Sequence, residues 1–374
     1  VCYNPKQIFI KNYGGYIVMN ALTRYGTEIG GFKFERGLPE PEITDDDILI
    51  ELKAAGICGA DFKHYGIENG ATDNKRIAGH EFSGVIVKAG KNVTDWHVGQ
   101  RVVSENTAYA CGKCHACEIG NFLVCPYKRS FGLSPNTDGG FTKYVKVPGY
   151  IMNLYKNCLF EIPENVSFEE ASMLDPIGNA YMAVAQRSNL LPGDNVVVFG
   201  AGTLGLGCVQ MAKIMGAAEI IVVASSANEA VRFPVAKKFG ATHCISYDKE
   251  NVEEKILELV GENSIPIVYD CAGSPSVLKQ SLNILRTNGQ IIRVGMSFLP
   301  LNFSINDLSM KAIDLVGHMA YNTVSLKHVL TLLERKMFDA KSMITHILPL
   351  SDWQEGFELM KNRQGIKVIL KYDE

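Results

Sequence analysis

The sequence predicts a two-part α/β protein, an irregular antiparallel β barrel joined to a doubly wound parallel sheet. Short strand candidates separated by turns fill residues 20 to 160. Strand and helix patterns then alternate over 195–294, as a parallel sheet with crossover helices requires. The first strand of that alternation runs directly into a glycine loop, Gly200-Ala201-Gly202-Thr203-Leu204-Gly205.

In the first part, 47–52, 84–89, 99–103 and 141–147 read as strands, the last entered through the turn Asp138-Gly139-Gly140. Ser167-Phe168-Glu169-Glu170 is a capping box that opens a helix running to about 173. Strands are expected at 195–199, 219–223, 244–246, 266–269 and 290–294. The helices between and after them are expected at 204–215, 231–239, 252–260 and 276–285. From about 320 helices follow, then a last strand at 367–370 whose pattern returns to the first part. We therefore expect one domain from 19–172 with 320–374 and a second from 173–319. Residues 1–18 read as an N-terminal extension ahead of Met19.

The 374 residues are 47% hydrophobic and 21% charged, enough to bury sizeable cores in two domains. A net charge of −3 gives no pull toward nucleic acid or an anionic membrane. No stretch approaches the roughly 18 apolar residues of a membrane span, and residues 1–18 are broken by Lys6 and Lys11. Ten cysteines in a chain this long point to metal or free thiols rather than a disulfide framework. A reducing cytoplasm is the expected compartment.

The glycine loop has the context of a dinucleotide site: a buried strand before it and an apolar helix after it. Gly200 makes the turn, Gly202 lets a pyrophosphate approach, and Gly205 packs helix on strand, with Thr203 and Leu204 between. An NAD site usually places a carboxylate about 20 residues on. Here that position holds Ala224, followed by Ser225 and Ser226, with Arg232 one to two turns later. Without a carboxylate a 2′-phosphate is not repelled, so NADP is favoured over NAD. Glu229 nearby keeps NAD open.

Cys111, Cys114, Cys117 and Cys125 stand at Cys-x2-Cys-x2-Cys-x7-Cys, a set that can close a tetrahedral structural zinc unaided. Upstream, Cys58 precedes His80 and Glu81. A thiolate, an imidazole and a carboxylate make an open zinc site, although the spacing alone equally fits a core cysteine and a surface histidine.

Taken together these motifs resemble the zinc-containing medium-chain dehydrogenase/reductase family, which includes alcohol, sorbitol and threonine dehydrogenases. The matching pieces are Cys58-Gly59-x-Asp61, Gly79-His80-Glu81, the four-cysteine lobe, Asp138-Gly139-Gly140-Phe141, Asp175-Pro176, Gly200 to Gly205, and Val294-Gly295. They span the chain from about Met19 onward. The resemblance implies a barrel-like (GroES-like) catalytic domain beside a Rossmann domain, with substrate and nicotinamide meeting at zinc in the cleft. It makes Cys58, His80 and Glu81 ligands of a catalytic zinc. Asp175 then falls on the distal carboxylate of polyol-type members, ligating directly or through water. Asp61 holds the His80 tautomer. With the lobe, two zinc ions per chain are expected. The nicotinamide carboxamide is expected near Cys271 to Gly273 and Val294 to Met296, and His318 either approaches the cleft or is buried for structure.

One departure stands out. Ala60 occupies a position where related enzymes carry Ser or Thr to begin the proton relay. The proton then leaves through water, Glu81, His64 or Lys63. The ligand set and Ser104-Glu105-Asn106-Thr107 resemble polyol dehydrogenases; the run from Asp175 to Ala180 resembles threonine 3-dehydrogenase. The expected substrate is a sugar alcohol or related secondary alcohol, oxidised to a ketose or ketone, or the reverse. The alternative is threonine 3-dehydrogenase or a 2,3-butanediol enzyme. A non-catalytic NADPH-binding protein of the same fold is the competing reading, with the lost relay hydroxyl as its support. The resemblance also implies a homodimer or homotetramer, with a sheet edge near Pro300-Leu301-Asn302-Phe303 at the interface.

Overall fold

The computed structural model describes residues 18–25, 31–62, 75–297, 299–301 and 304–372. Lys63 and His64, Asn302 and Phe303, and residues 1–17 lie outside these.

The parallel sheet has six strands. From one edge to the other they are His243–Ser246, Ile220–Ala224, Val196–Phe199, Ile265–Asp270, Leu285–Arg293 and Asp314–Gly317. Every neighbouring pair is parallel. Val196–Phe199 is buried along its whole length, as a strand covered by helices on both faces must be. Chain order reverses between Val196–Phe199 and Ile265–Asp270. The carboxyl ends of these two strands form the crevice where such sheets take ligands.

The sixth strand, Asp314–Gly317, is not among the predicted elements. It is four residues long, mostly exposed, and ends at a glycine, so it offers no periodic apolar signal. A second difference follows the capping box at Ser167. Its helix, Phe168–Ser172, is succeeded directly by another, Leu174–Tyr181, with Pro176 in the first turn where its missing N–H costs nothing. That helix packs on Thr203–Ile214 and Thr323–Glu334. It also sets Asp175 and Asn179 four residues apart, on one face.

The barrel side is a seven-stranded sheet centred on Ile48–Gly56 and Glu81–Ala89, which pair antiparallel. Strand Lys367–Lys371, far along the chain, also pairs antiparallel with Ile48–Gly56, Ile369 facing Gly56. Its residues Lys367, Val368, Ile369 and Leu370 are all buried. The barrel core gathers Leu22, Ile50, Phe82, Ile86, Phe141, Val145, Phe357 and Val368, among others. No described helix is long and apolar enough to cross a membrane.

Candidate active site

Cys58 follows strand Ile48–Gly56, and His80 and Glu81 open the neighbouring strand, so sheet pairing brings the two together. The turn before His80 is held from outside. Gly139 and Gly140 donate N–H bonds to the carbonyls of Ile77 and Gly79, and Phe141 donates to Ala78. Gly79 has φ +90, and a Cβ there would sit 2.6 Å from the Phe141 ring. Glycine is therefore required at this point.

One ligand atom each from Cys58, His80 and Glu81 lie within 4.8 Å of one another. Asp61 braces the trio: its Oδ2 accepts the Cys58 N–H at 2.8 Å, and its Oδ1 stands 3.4 Å from His80 Nδ1. Glu81 Oε2 is taken by the Lys367 ammonium at 2.5 Å, and Lys367 also donates to the Ile57 carbonyl at 3.0 Å. Glu81 Oε1 is buried with no hydrogen-bond partner. Burial pushes the Cys58 thiol up, with Glu81 adding to it, and burial likewise pushes the Glu81 carboxyl up against the pull of Lys367. A divalent cation among these groups would hold both ionised and occupy the orphaned oxygen. The donor set and its spacing fit zinc.

Asp175 is not part of this cluster. Its Oδ2 accepts from Tyr321 Oη at 2.8 Å and Asn106 Nδ2 at 3.2 Å, and Oδ1 faces Asn179 Nδ2 at 3.4 Å. Three donors hold the shorter carboxylate back, so direct ligation is not the geometry shown. His318 Nε2 continues the chain to Asn179 Oδ1 at 3.3 Å. Burial, with Arg187 adding to it, depresses His318 to about 4 and keeps it neutral.

The four-cysteine lobe is compact. Cys117 Sγ lies 4.0 Å from Cys111 Sγ and 3.6 Å from Cys114 Sγ, and all four sulfurs fall within 4.8 Å. A tetrahedron with metal–sulfur bonds of about 2.3 Å has edges of about 3.8 Å, so zinc fits here too.

A cleft of about 540 Å³ joins the trio to the glycine loop. Gly202, Thr203, Leu204, Gly205, Arg232, Cys271, Val294 and Met296 lie on its cofactor side, and Asp175, Asn179 and His318 near the trio. Gly200 turns with φ +101, and a Cβ on Gly205 would come 1.8 Å from the Gly200 carbonyl. The loop thus needs a bare backbone at the helix start. Ala224, Ser225 and Ser226 sit beside this wall, not on it. Ser225 Oγ accepts from Arg363, which comes from the segment just before strand Lys367–Lys371. Ser226 gives both its N–H and its hydroxyl to Asp248, at 2.8 and 2.7 Å. The hydroxyl expected for a phosphate is therefore already engaged by a carboxylate. Glu229 is drawn away to Ser246 and Lys249.

Comparison with known proteins bears on this arrangement. The family descriptions "Zinc-binding dehydrogenase" and "Alcohol dehydrogenase GroES-like domain" match residues 203–335 and 44–156. An uncharacterized zinc-type alcohol dehydrogenase-like protein of Escherichia coli is 48% identical, covering 95% of this chain and 99% of the relative. The chain belongs to the zinc-containing medium-chain dehydrogenase/reductase family. A sorbitol dehydrogenase of Halalkalibacterium halodurans is 33% identical, over 94% of this chain and 99% of its own length. An L-threonine 3-dehydrogenase of Bacillus velezensis is 35% identical, over 89% and 93%. The solved 2R,3R-butanediol dehydrogenase of Bacillus subtilis superposes with TM-score 0.82 at 27% identity, covering 95% of this chain and all of that one. The protein is thus a zinc-dependent alcohol dehydrogenase that works with a nicotinamide cofactor. Its GroES-like and Rossmann parts are the barrel and the parallel sheet described above.

Several residues of this dehydrogenase's site escaped sequence reasoning. Lys367 carried one signal, a lone charge opening an otherwise apolar strand. Asn106 was marked only as part of the polyol-like run Ser104 to Thr107, and Tyr321 and Arg363 carried no signal, since the three roles depend on partners 69, 146 and 138 residues away.

Proposed function

We propose that this dehydrogenase oxidises a sugar alcohol or related secondary alcohol to the ketose or ketone, or runs in reverse, with NADP preferred. The carrying observation is the Cys58–His80–Glu81 trio, opening on a cleft whose near wall offers Asn106, Asp175 and Asn179 as hydroxyl partners. Zinc would polarise the alcohol and the nicotinamide would take its hydride. Cys58, His80 and Glu81 would hold the catalytic zinc, and the four-cysteine lobe a structural one. Asp61 fixes the His80 ring and the Cys58 backbone, and Lys367 fixes which Glu81 oxygen faces the site. Asp175, steadied by Tyr321 and Asn106, acts at a distance on a neighbouring hydroxyl of the substrate rather than on the metal. With alanine at 60, the proton passes by water or by Glu81. Lys63 and His64, which also stood as routes, fall in the undescribed stretch.

The NADP preference is supported by Arg232 and Arg363, which converge beside Ser225 from the two halves of the chain. Asp248 on Ser226 weighs toward NAD, and the two guanidiniums outweigh one exposed carboxylate near a 2′-phosphate. We also propose a homodimer or homotetramer. Exposed Leu299, Leu301, Ile305, Met310 and Leu315 surround the sheet edge at Asp314–Gly317, next to the stretch expected at the interface. The close-set thiols, a metal set rather than disulfides, support a reducing cytoplasm.

The test is initial rates with NADP and NAD on sugar alcohols, small diols and threonine, with zinc analysis of the same preparation. Turnover of a polyol, NADP preferred, with two zincs per chain is expected. Arg363→Ala should raise KM for NADP roughly tenfold and leave that for NAD within a few-fold. Turnover of threonine alone would overturn the substrate reading. A Arg363→Ala variant with unchanged discrimination would overturn the cofactor reading.

A further inference from the structure

Among the described residues, two partly or fully buried lysines near the domain cores have their ammonium groups partnered. Lys367 is held by Glu81 and the Ile57 carbonyl. Lys311 caps the carbonyls of Leu282, Asn283 and Leu285. Lys128 is different. It is half-buried on the wall of the active-site cleft, yet its ammonium forms no hydrogen bond or ion pair with any described residue. Holding an ammonium partly out of water without a partner is unfavourable, so a counter-charge brought into the cleft beside it would be stabilised.

The carboxylates nearest in charge do not complete it. Glu105 turns its Oε2 to the Thr107 N–H at 3.0 Å, and Asp175 is occupied by Tyr321, Asn106 and Asn179. Burial lowers the Lys128 pKa, and Glu105 and Asp175 hold it up only in part. The position is fixed by the backbone. Lys128 follows the last lobe cysteine and leads into strand Arg129–Ser130, which pairs with Thr107–Tyr109 beside Asn106. The cysteine lobe on one side and the strand pairing on the other set the backbone from which this stem reaches the cleft.

The location also says which ligand it serves. The cofactor's phosphates belong to the opposite end, at Gly200 to Gly205 with Arg232 and Arg363. Lys128 shares its wall with Ser130, Leu133 and Asn106, on the side of the metal-ligand trio. Asn106 there keeps its Oδ1 buried and unpartnered, an acceptor awaiting a hydroxyl. We infer that Lys128 binds an anionic group of the substrate, so that the preferred substrate is a sugar alcohol bearing a carboxylate or a phosphate away from the reacting carbon. This rests on the polyol reading above.

The test compares kcat/KM for a matched set, sorbitol, gluconate and sorbitol 6-phosphate, on wild type, Lys128→Met and Lys128→Arg. Wild type should favour one anionic member over sorbitol by roughly tenfold to a hundredfold, the worth of one charge-assisted contact. That ratio should collapse in Lys128→Met, mostly through KM, and survive largely in Lys128→Arg. The preference should also weaken as salt is raised. Whichever anion shows it identifies the group. A wild-type enzyme that favours sorbitol, or a Lys128→Met variant that slows all three equally, would overturn the inference. Should none be turned over, the polyol reading falls. Quenching of enzyme-bound NADPH fluorescence by gluconate and sorbitol 6-phosphate then still decides: anion-selective binding lost in Lys128→Met supports the lysine's role, and binding indifferent to charge refutes it.

Discussion

Replacing Lys367 by methionine keeps the length of the side chain and removes the ammonium that meets Glu81. Both groups are almost wholly buried, Lys367 at 1% and Glu81 at 2% exposure, so water does not replace the lost partner. Removing one member of a buried ion pair costs about 3–5 kcal/mol, because the other charge is left uncompensated. Unfolding entropy of about 2.1 cal/mol/K per residue over this chain comes to about 0.8 kcal/mol/K, so the melting temperature should drop by roughly 4–6 °C. The measurement is calorimetry on chelator-treated protein for wild type, Lys367→Met, Glu81→Gln and the double variant. Glu81→Gln removes the stranded charge, so the double variant should lose clearly less than the two singles together. Restoring zinc should narrow the Lys367→Met deficit, since a cation beside Glu81 offsets the missing ammonium. A Lys367→Met protein melting within a degree of wild type without metal, or strictly additive losses, would refute the reasoning.

Two further outcomes are expected. Burial raises Glu105 from 4.5 to about 8, so between those values the folded chain holds a proton the unfolded chain has released. Stability should therefore fall by a few kcal/mol as pH rises through that window, and Glu105→Gln should flatten the fall. Denaturant titrations at pH 5 and pH 8.5 check this, and parallel behaviour of the two proteins would count against it. In sedimentation velocity the protein should run as a dimer or tetramer; a monomer across the accessible concentration range would sink the sheet-edge interface.

Much of the fold was legible because its signals are local. The alternation of apolar strands with amphipathic helices needs only periodicity, and the helix at Val252–Val260 and the capping box at Ser167 lie where the sequence put them. The glycine loop was legible because backbone approach leaves no room for another residue. Asp314–Gly317 was missed because an exposed four-residue edge strand has no pattern of its own. At the site, the metal-type residues announce themselves by rarity and by their neighbours. Their supports do not: Lys367, Tyr321 and Arg363 are ordinary residues until the fold carries them across the chain. For Asp175, expected to ligate directly or through water, the structure departs from the direct form for the same reason. Its sequence neighbours suggested a ligand, whereas three distant donors decide where its carboxylate points.

Strand Lys367–Lys371 also has a consequence in time. The backbone that positions Cys58 is braced by Lys367, 310 residues further on from its Ile57 contact. A ribosome making this chain must therefore complete the whole nucleotide-binding sheet before the barrel's ion pair can form. Until then Glu81 lacks the ammonium that meets it in the folded chain. The four cysteines of the lobe, by contrast, come together within 15 residues of sequence and depend on no later-made segment to do so.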